Sequence, residues 1–449
     1  MTDINARAVV LDILLDVLEI GKLSHLVIRE KLKEYNDISK QERSFITRMS
    51  EGTIEKCIEL DYIINAFSKI KVKKMKPAIR NILRMSVYQI KYMNSVPDSA
   101  VCNEAVKLTA KRGYSGLKGF VNGILRNIIR EPERWVCEDD NYSVKYSMPR
   151  WIVDMWIKEY GEEKTESMLK ASGRESRICI RRNVSKSERD EFLKLLDNDK
   201  VSYKCSDILD DVFYLWDIEK LNDMDTFNRG LFQVQDLSSV MSGLAASPKE
   251  GDICVDVCAA PGGKTIHLAD ILHNTGCVYS RDISDEKVNM IHENVKRTGF
   301  SNIKLQVWDA THNDKSLYEK ADIVMADLPC SGLGVMSRKS DIKYKVSKES
   351  IEELVHLQRK ILSVVSSYIK PGGTLVYSTC TVNKQENDEN VKWILDNLPF
   401  ESKSLKGRLP EELECETLEE GYIQIFPGDY GMDGFFVALF KKKQKEIED

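Results

Sequence analysis

From Gly251 onward, five short runs rich in valine and isoleucine alternate with helical stretches: DICVDVCAAP, GCVYSRDIS, NIKLQVWDA, ADIVMADLP and GGTLVYSTC. No other feature constrains the chain as much. Strands that alternate with helices form βαβ units, and these build a mostly parallel sheet. The late runs YIQIFP and GFFVALFKK are expected to add edge strands. In an open α/β sheet the ligand sits outside the carboxyl ends of the strands. Here each such end carries a polar or reactive residue. The first ends at Asp256 and the loop CAAPGGKT, the second at Asp282 and the third at Asp309. The fourth ends at Asp327 with Pro329 and Cys330, the fifth at Ser378, Thr379 and Cys380. One strand-end aspartate is ordinary turn chemistry. A full set of polar ends points to a ligand.

The loop from Cys258 through Ala259, Ala260, Pro261, Gly262, Gly263 and Lys264 to Thr265 comes first. Its glycines let the backbone approach a ligand, and the helix that follows directs amides and a positive dipole end at it. A carboxylate or phosphate is favoured. GGKT ends like a Walker A motif, but Cys258 stands at that motif's first glycine, and a G-x-G-x-x-G pattern is also missing. Asp282 is spaced to meet a ribose hydroxyl, and Asp309 an adenine edge. A nucleoside with an anionic group fits this set, and S-adenosylmethionine is such a molecule.

If the fourth and fifth strands are neighbours, Asp327, Cys330 and Cys380 surround one cavity beside the donor. Methylation at carbon 5 of a pyrimidine needs such a trio. A thiolate that adds to C6 turns C5 into a nucleophile, and elimination later expels the thiol. A carboxylate on the base edge stabilises the charge that develops on the ring. Local chemistry leaves open which sulfur attacks. A Pro-Cys pair is the nucleophile signature of DNA cytosine-5 methyltransferases, which favours Cys330, and either thiol can also be inert core.

The rest of the chain is organised differently. At 449 residues two or three domains are expected. Residues 1 to about 130 have helical periodicity, with Val10, Leu14, Val17 and Leu18, Phe45 with Met49, and Ile54 with Ile58. Ser39 and Glu42 fit a capping box. Glu131 to Pro149 is polar and acidic and is expected to be a linker. A small α+β unit follows, with RWIVDMWIKEY helical, SRICIRRN and DVFYLWDI as strands, and a second capping box at Ser185 to Glu188. The final KKKQKEIED is expected to fray.

Net charge is only −5, yet residues 71–130 hold thirteen Lys/Arg against two Asp/Glu. That asymmetry predicts a polyanion-binding face. The basic loop after Cys330, with Arg338, Lys339, Lys343 and Lys345, is expected to grip an RNA backbone. Eleven scattered cysteines without a C-x-x-C pair argue against structural zinc and against a secreted disulfide scaffold. No run of roughly 18 apolar residues spans a membrane. Asp12 and Asp16 interrupt the N-terminal apolar stretch, which reads as an amphipathic helix, so a cytoplasmic location is expected.

DVCAAPGGKT, DLPCSGLG, YSTCTVNKQEN and FPGDYGMDGFFVALF, preceded by FQVQDLSS, resemble the RNA cytosine-5 methyltransferases of the Sun (RsmB) family. The likeness runs from about residue 150 to the end, and the basic helical part before it resembles the NusB-type RNA-binding fold. It implies a multidomain protein: an all-α NusB-like RNA-binding domain (1–135), a small α+β linking domain (145–245) and a Rossmann-like α/β methyltransferase domain (246–445). It implies S-adenosylmethionine as donor and small-subunit (16S) ribosomal RNA as partner; independently of the likeness, no membrane partner and a monomeric protein are expected. Cys380 is implied as nucleophile and Cys330 as the thiol that helps break the adduct. Donor contacts are implied at Cys258 through Lys264, Asp282, Asp309 and Asp327. Leu328 stands where alanine is frequent, without touching a polar group. Transfer RNA as substrate, or a non-enzymatic RNA-binding assembly factor, are the competing expectations.

Overall fold

The computed structural model describes residues 5–35, 38–173, 177–218 and 220–444. The chain divides into two units, Met1–Gly173 with Met336–Lys345, and Arg174–Val335 with Val346–Asp449.

The first unit is helical, as its periodicity predicts. Its main helices are Ala6–Leu18, Ser24–Glu34, Lys40–Glu55, Cys57–Phe67, Pro77–Tyr92, Asp98–Lys111 and Lys118–Arg130. Residues 1–4, at the start of the expected N-terminal helix, lie outside the described residues. The Ser39 box forms: Ser39 Oγ accepts from the Glu42 amide, and Glu42 Oε2 accepts from the Ser39 amide at 3.1 Å. Pro77 opens the most buried helix, where its fixed φ and missing N–H cost nothing. Tyr88 of that helix packs on Gly52, where a Cβ would fall 2.1 Å from the Tyr88 ring.

Glu131 to Pro149 is not a free linker. Trp135 Nε1 donates to the Ile128 carbonyl at 2.9 Å, and Ser147 Oγ accepts from the Ile58 amide at 3.0 Å. Its polar composition hides two anchors, one to the preceding helix and one, at Ser147, whose partner is remote in sequence. The helices Arg150–Tyr160 and Glu162–Ser172 also belong to this unit.

The segment 336–345 changes the reading of the basic loop. Helix Ser24–Glu34 has no capping side chain of its own, and the Asp341 carboxylate supplies one, accepting from the Ser24 amide at 3.0 Å and hydroxyl at 2.7 Å. At the other polarity, Lys343 Nζ and the Tyr344 hydroxyl donate to the Glu55 carbonyl at 2.9 and 3.1 Å, where a helix ends. Anion at a helix start and cation at a helix end both suit the dipole. Lys343 is buried, and Lys345 is bound to Asp341 and to the Lys22 carbonyl. These two cations therefore serve the fold rather than an RNA backbone, while Arg338 and Lys339 are exposed.

The second unit contains two sheets. The smaller, antiparallel throughout, has β1 (Ile178–Arg182), β2 (Ser202–Cys205), β3 (Val212–Trp216) and β4 (Phe232–Val234) in the order β2-β3-β1-β4. The expected capping box at Ser185 does not form, since Glu188 is the N-cap residue and makes no side-chain bond. Ser185 is drawn instead to the buried Asp270, donating from its amide at 2.9 Å and from its hydroxyl at 2.6 Å.

The larger sheet has β5 (Ile253–Asp256), β6 (Cys277–Asp282), β7 (Ile303–Val307), β8 (Ala321–Asp327), β9 (Ile369–Thr379), β10 (Phe400–Ser402), β11 (Tyr422–Ile425) and β12 (Phe435–Lys442). Its order is β10-β12-β9-β8-β5-β6-β7, with β11 also on β12. β5 to β9 are parallel neighbours, so their carboxyl ends share one edge. β5 has β6 on one side and β8 on the other, which makes it the switch point where such sheets bind ligands. β12 is not an edge strand. It runs antiparallel to β9 and carries β10 and β11 on its far side, and Phe435 through Phe440 are all buried. Its unbroken apolar run was the signal, since alternation is lost when both faces are covered. Lys441 and Lys442 of the expected tail end this strand, and 445–449 lie outside the described residues.

Candidate active site

At the switch point the chain leaves β5 through Asp256 and turns into helix Gly263–Ile271. Gly262 is the N-cap, at φ 102°, where a Cβ would also press Ile291 Cγ2 at 3.0 Å. No side chain caps this helix, so its first amides are left for a ligand. Asp256 is fully buried. Its Oδ2 accepts from Thr265 Oγ1 at 2.7 Å, while Oδ1 is buried without a partner. Burial raises its carboxyl to about 7.

The neighbouring strand ends converge on the same loop. Ala259 donates its amide to the Arg281 carbonyl at 2.9 Å, and Ala260 donates to Asp282 Oδ2 at 3.0 Å. Asp282 Oδ1 takes the Ile283 amide at 2.8 Å and Lys287 Nζ at 2.9 Å. Cys258 is half-buried beside them, and burial and then Asp282 push its thiol above the ordinary range. Asp309, just beyond β7, closes its own turn: Oδ1 accepts from the Thr311 amide and hydroxyl at 2.9 and 2.8 Å, and Oδ2 lies 3.1 Å from His312 Nδ1. The Thr311 bond holds its carboxyl below the usual range.

These residues fit S-adenosylmethionine. An uncapped amide end suits a carboxylate, an anionic strand end suits ribose hydroxyls, and the orphan acceptor of Asp256 lies at the root of the loop. A sulfonium next to aspartates is also favourably placed in electrostatic terms.

Lys264 connects this loop to the sulfurs. Its Nζ donates to Asp327 Oδ2 at 2.7 Å, and Ser378 Oγ donates to Asp327 Oδ1 at 2.7 Å. Burial works against the Lys264 ammonium, but Asp327 outweighs it and raises Lys264 above its ordinary value. Beyond the ends of β8 and β9, Cys330 Sγ lies 3.3 Å from Cys380 Sγ, a hydrogen-bonded pair of free thiols. Two sulfurs this close do not both ionise easily. The Cys380 hydrogen bond and burial push the Cys330 thiol far up, and Glu386 and Asp327 add to this. On the other side Cys380 acts on the Lys264 cation.

Two glycines hold the Cys380 turn. Gly334 donates its amide to the Cys380 carbonyl at 3.1 Å, and Gly434 donates to the Gly334 carbonyl at 2.8 Å. A Cβ on Gly334 would sit 2.1 Å from the Gly434 oxygen and 2.8 Å from the Cys380 oxygen. Motifs far apart in the chain thus meet through bare backbone. Sequence reasoning missed Glu386, which is buried below both turns. It stands in the polar run NKQENDEN, which looks like exposed loop, and only the density of amides marks it.

Comparison with known proteins matches three successive stretches of the chain. Residues 4–130 match the NusB family, 148–217 the ferredoxin-like domain described as Methyltr_RsmF/B-like, and 244–441 the family described as 16S rRNA methyltransferase RsmB/F. A probable ribosomal RNA small subunit methyltransferase B of Bacillus subtilis (strain 168) is 34% identical, across 99% of this chain and 100% of its own. The crystal structure of PH0851 superposes with a TM-score of 0.81 at 26% identity, covering 97% of this chain and 98% of that one. A methyltransferase homolog protein from Pyrococcus horikoshii gives 0.58 at 26% identity, covering 67% of this chain and 98% of its own.

Proposed function

The chain belongs to the RsmB/F family of 16S rRNA methyltransferases, and from that premise we propose that it methylates carbon 5 of a cytidine in 16S ribosomal RNA through a covalent cysteine adduct. The observation that carries this is the thiol pair, 3.3 Å apart beside an aspartate clamped by Lys264 and Ser378.

Cys380 is the nucleophile. The Thr-Cys position of Cys380 supports this assignment, while the Cys380 hydrogen bond, burial, Glu386 and Asp327 all disfavour charge on Cys330. The Cys380 thiolate adds to C6 of cytosine. An S–C6 bond forms, and the pair of the C5–C6 double bond becomes available at C5. S-adenosylmethionine supplies an electrophilic methyl group, held by residues 258–264, Asp282 and Asp309. Asp327 faces the base edge; each of its oxygens has a second lone pair left for an N–H of the exocyclic amine. C5 takes the methyl group from the sulfonium, which leaves as a neutral thioether. Water then takes the C5 proton, the C–H pair restores the C5–C6 double bond, and Cys380 leaves C6 as thiolate, a release assisted by the Cys330 thiol.

An extruded base is required, because C5 of a stacked or paired cytidine is out of reach. The basic helical domain (1–135) supplies RNA affinity and register, the linking domain (145–245) joins it to the catalytic domain (246–445), and the catalytic pocket reads the base. Methyl transfer to deproteinised small-subunit RNA, with transfer RNA in parallel and nucleoside analysis of the product, tests this reading. 5-Methylcytidine in the small-subunit RNA alone is expected, and Cys380→Ala should abolish it. Methylation of transfer RNA instead, or donor binding by calorimetry without any transfer, would overturn it.

A further inference from the structure

Beneath the cysteine turns lies a carboxylate whose described bonds all come from neutral donors. Glu386 is fully buried, between β9 and helix Asp388–Asn397. Its Oε1 accepts from the Ser331 amide at 2.9 Å and from Gln358 Nε2 at 3.1 Å, and its Oε2 accepts from Ser331 Oγ. Ser331 directly follows Cys330, and Thr381 directly follows Cys380. Their hydroxyl oxygens are 2.6 Å apart. Ser331 gives its one hydroxyl proton to Glu386, so Thr381 donates to Ser331. Gln358 uses its other N–H on the Pro329 carbonyl at 2.9 Å, which fixes the residue before Cys330. Asn390 Nδ2 holds Gln358 Oε1 at 2.8 Å, and the Tyr377 hydroxyl of β9 donates to the Glu386 carbonyl.

A buried carboxylate is costly, and packing alone would be served by an apolar side chain. Burial raises the Glu386 carboxyl, yet three donors converge on it. Each of these donors belongs either to the residue after Cys330 or to the side chain that holds the residue before it. The donor loop at 258–264 makes no bond to Glu386 among those described.

We propose that Glu386 is a positioning residue: it locks the turn of Cys330 to the turn of Cys380 and so sets the distance between the two sulfurs. The inference rests on the reading that these thiols do the chemistry, but the distance itself is measurable without RNA. In the full-length protein, diamide accepts two electrons and two protons from the pair as the Cys330–Cys380 disulfide forms. The rate is read by mass spectrometry of the linked peptides. Glu386→Ala should slow that rate about tenfold or more and lower kcat about 100-fold, since misplacement on the ångström scale is enough for such losses. KM for RNA and donor affinity by calorimetry should stay within about twofold of the parent protein. Glu386→Gln, which keeps the shape but turns one acceptor into a donor, should fall between the two. If Glu386→Ala does not fold, Thr381→Val removes only the link between the turns and should show the same two effects more weakly.

Unchanged disulfide rate and kcat in these variants would overturn the proposal. Donor affinity that falls in parallel with kcat would also overturn it, as the mark of a general structural role. Fast disulfide formation in the parent protein, slowed by Glu386→Ala, with no 5-methylcytidine from either, would leave Glu386 as assigned and refute the function instead.

Discussion

Asp270 is the most demanding test of how the smaller sheet and the donor helix are held together. Its side chain is fully buried and accepts four hydrogen bonds: Arg181 Nη1 at 2.7 Å, the Val184 amide at 2.9 Å, and the Ser185 amide and hydroxyl at 2.9 and 2.6 Å. Arg181 is itself only 3% exposed and has no other acidic partner among its described bonds, which go to Gln235, Asn183 and the Arg182 carbonyl. Asp270→Leu leaves that guanidinium charged and buried without an anion, so a loss of about 3–5 kcal/mol is expected. Arg181→Met with Asp270→Leu removes both charges and leaves only the amides and hydroxyl of 184–185 short of a partner. That should cost about 1–3 kcal/mol, less than the single change. Hydrogen exchange by mass spectrometry reads the difference in peptides covering β1 and helix Gly263–Ile271. A loss of about 3 kcal/mol corresponds to exchange roughly 100-fold faster there. A single variant with parental exchange, or a double variant as open as the single one, would refute the reasoning.

Other consequences follow from single residues. Asp256, raised to about 7 by burial, takes up a proton on folding, so its contribution is complete below the unfolded value of about 3.9, declines as pH rises, and levels off above about 7. Asp256→Asn should flatten that decline in urea unfolding midpoints measured from pH 4 to 8. Asp341 behaves oppositely: burial would raise its carboxyl, but Lys345 and Ser24 outweigh it and hold it low. Its stabilisation is present above about pH 4 and lost in acid, and Asp341→Ala should cost about 1–2 kcal/mol at pH 7, as for a lost helix cap, with little further loss on acidification. Gly334→Ala drives a Cβ into backbone oxygens that no rotamer change can clear. It should cost about 1–3 kcal/mol and lower kcat, while donor titration by calorimetry shows unchanged affinity.

Much of the larger sheet was legible in the sequence because four of the five parallel strands stop at a polar residue after an apolar run. Asp256, Asp282, Asp327, Cys330 and Cys380 fall at or just past those ends, and the adjacency of β8 and β9 brings the two sulfurs together. What was not legible depends on partners far away in the chain. Ser185 satisfies every local rule for a helix cap, yet Asp270 offers a buried carboxylate that needs donors more. Lys343 and Lys345 look like solvent-facing cations until the open end of a helix at Glu55 and the carboxylate of Asp341 are beside them. Glu386 reads as loop because its burial is created by Ser331, Gln358 and Tyr377, none of them adjacent in sequence. The thiol roles are not a matter of local chemistry either: the Pro-Cys pair favours Cys330, while the likeness of the Thr-Cys motif favours Cys380.

The assignment of the nucleophile is tested most directly by trapping. Cys330→Ala, incubated with donor and small-subunit RNA, should accumulate a protein–RNA complex that survives denaturing gels, and digestion should yield a cytidine linked to the peptide that carries Cys380. A nucleotide carried by any other cysteine, or an adduct that accumulates in Cys380→Ala, would contradict the account.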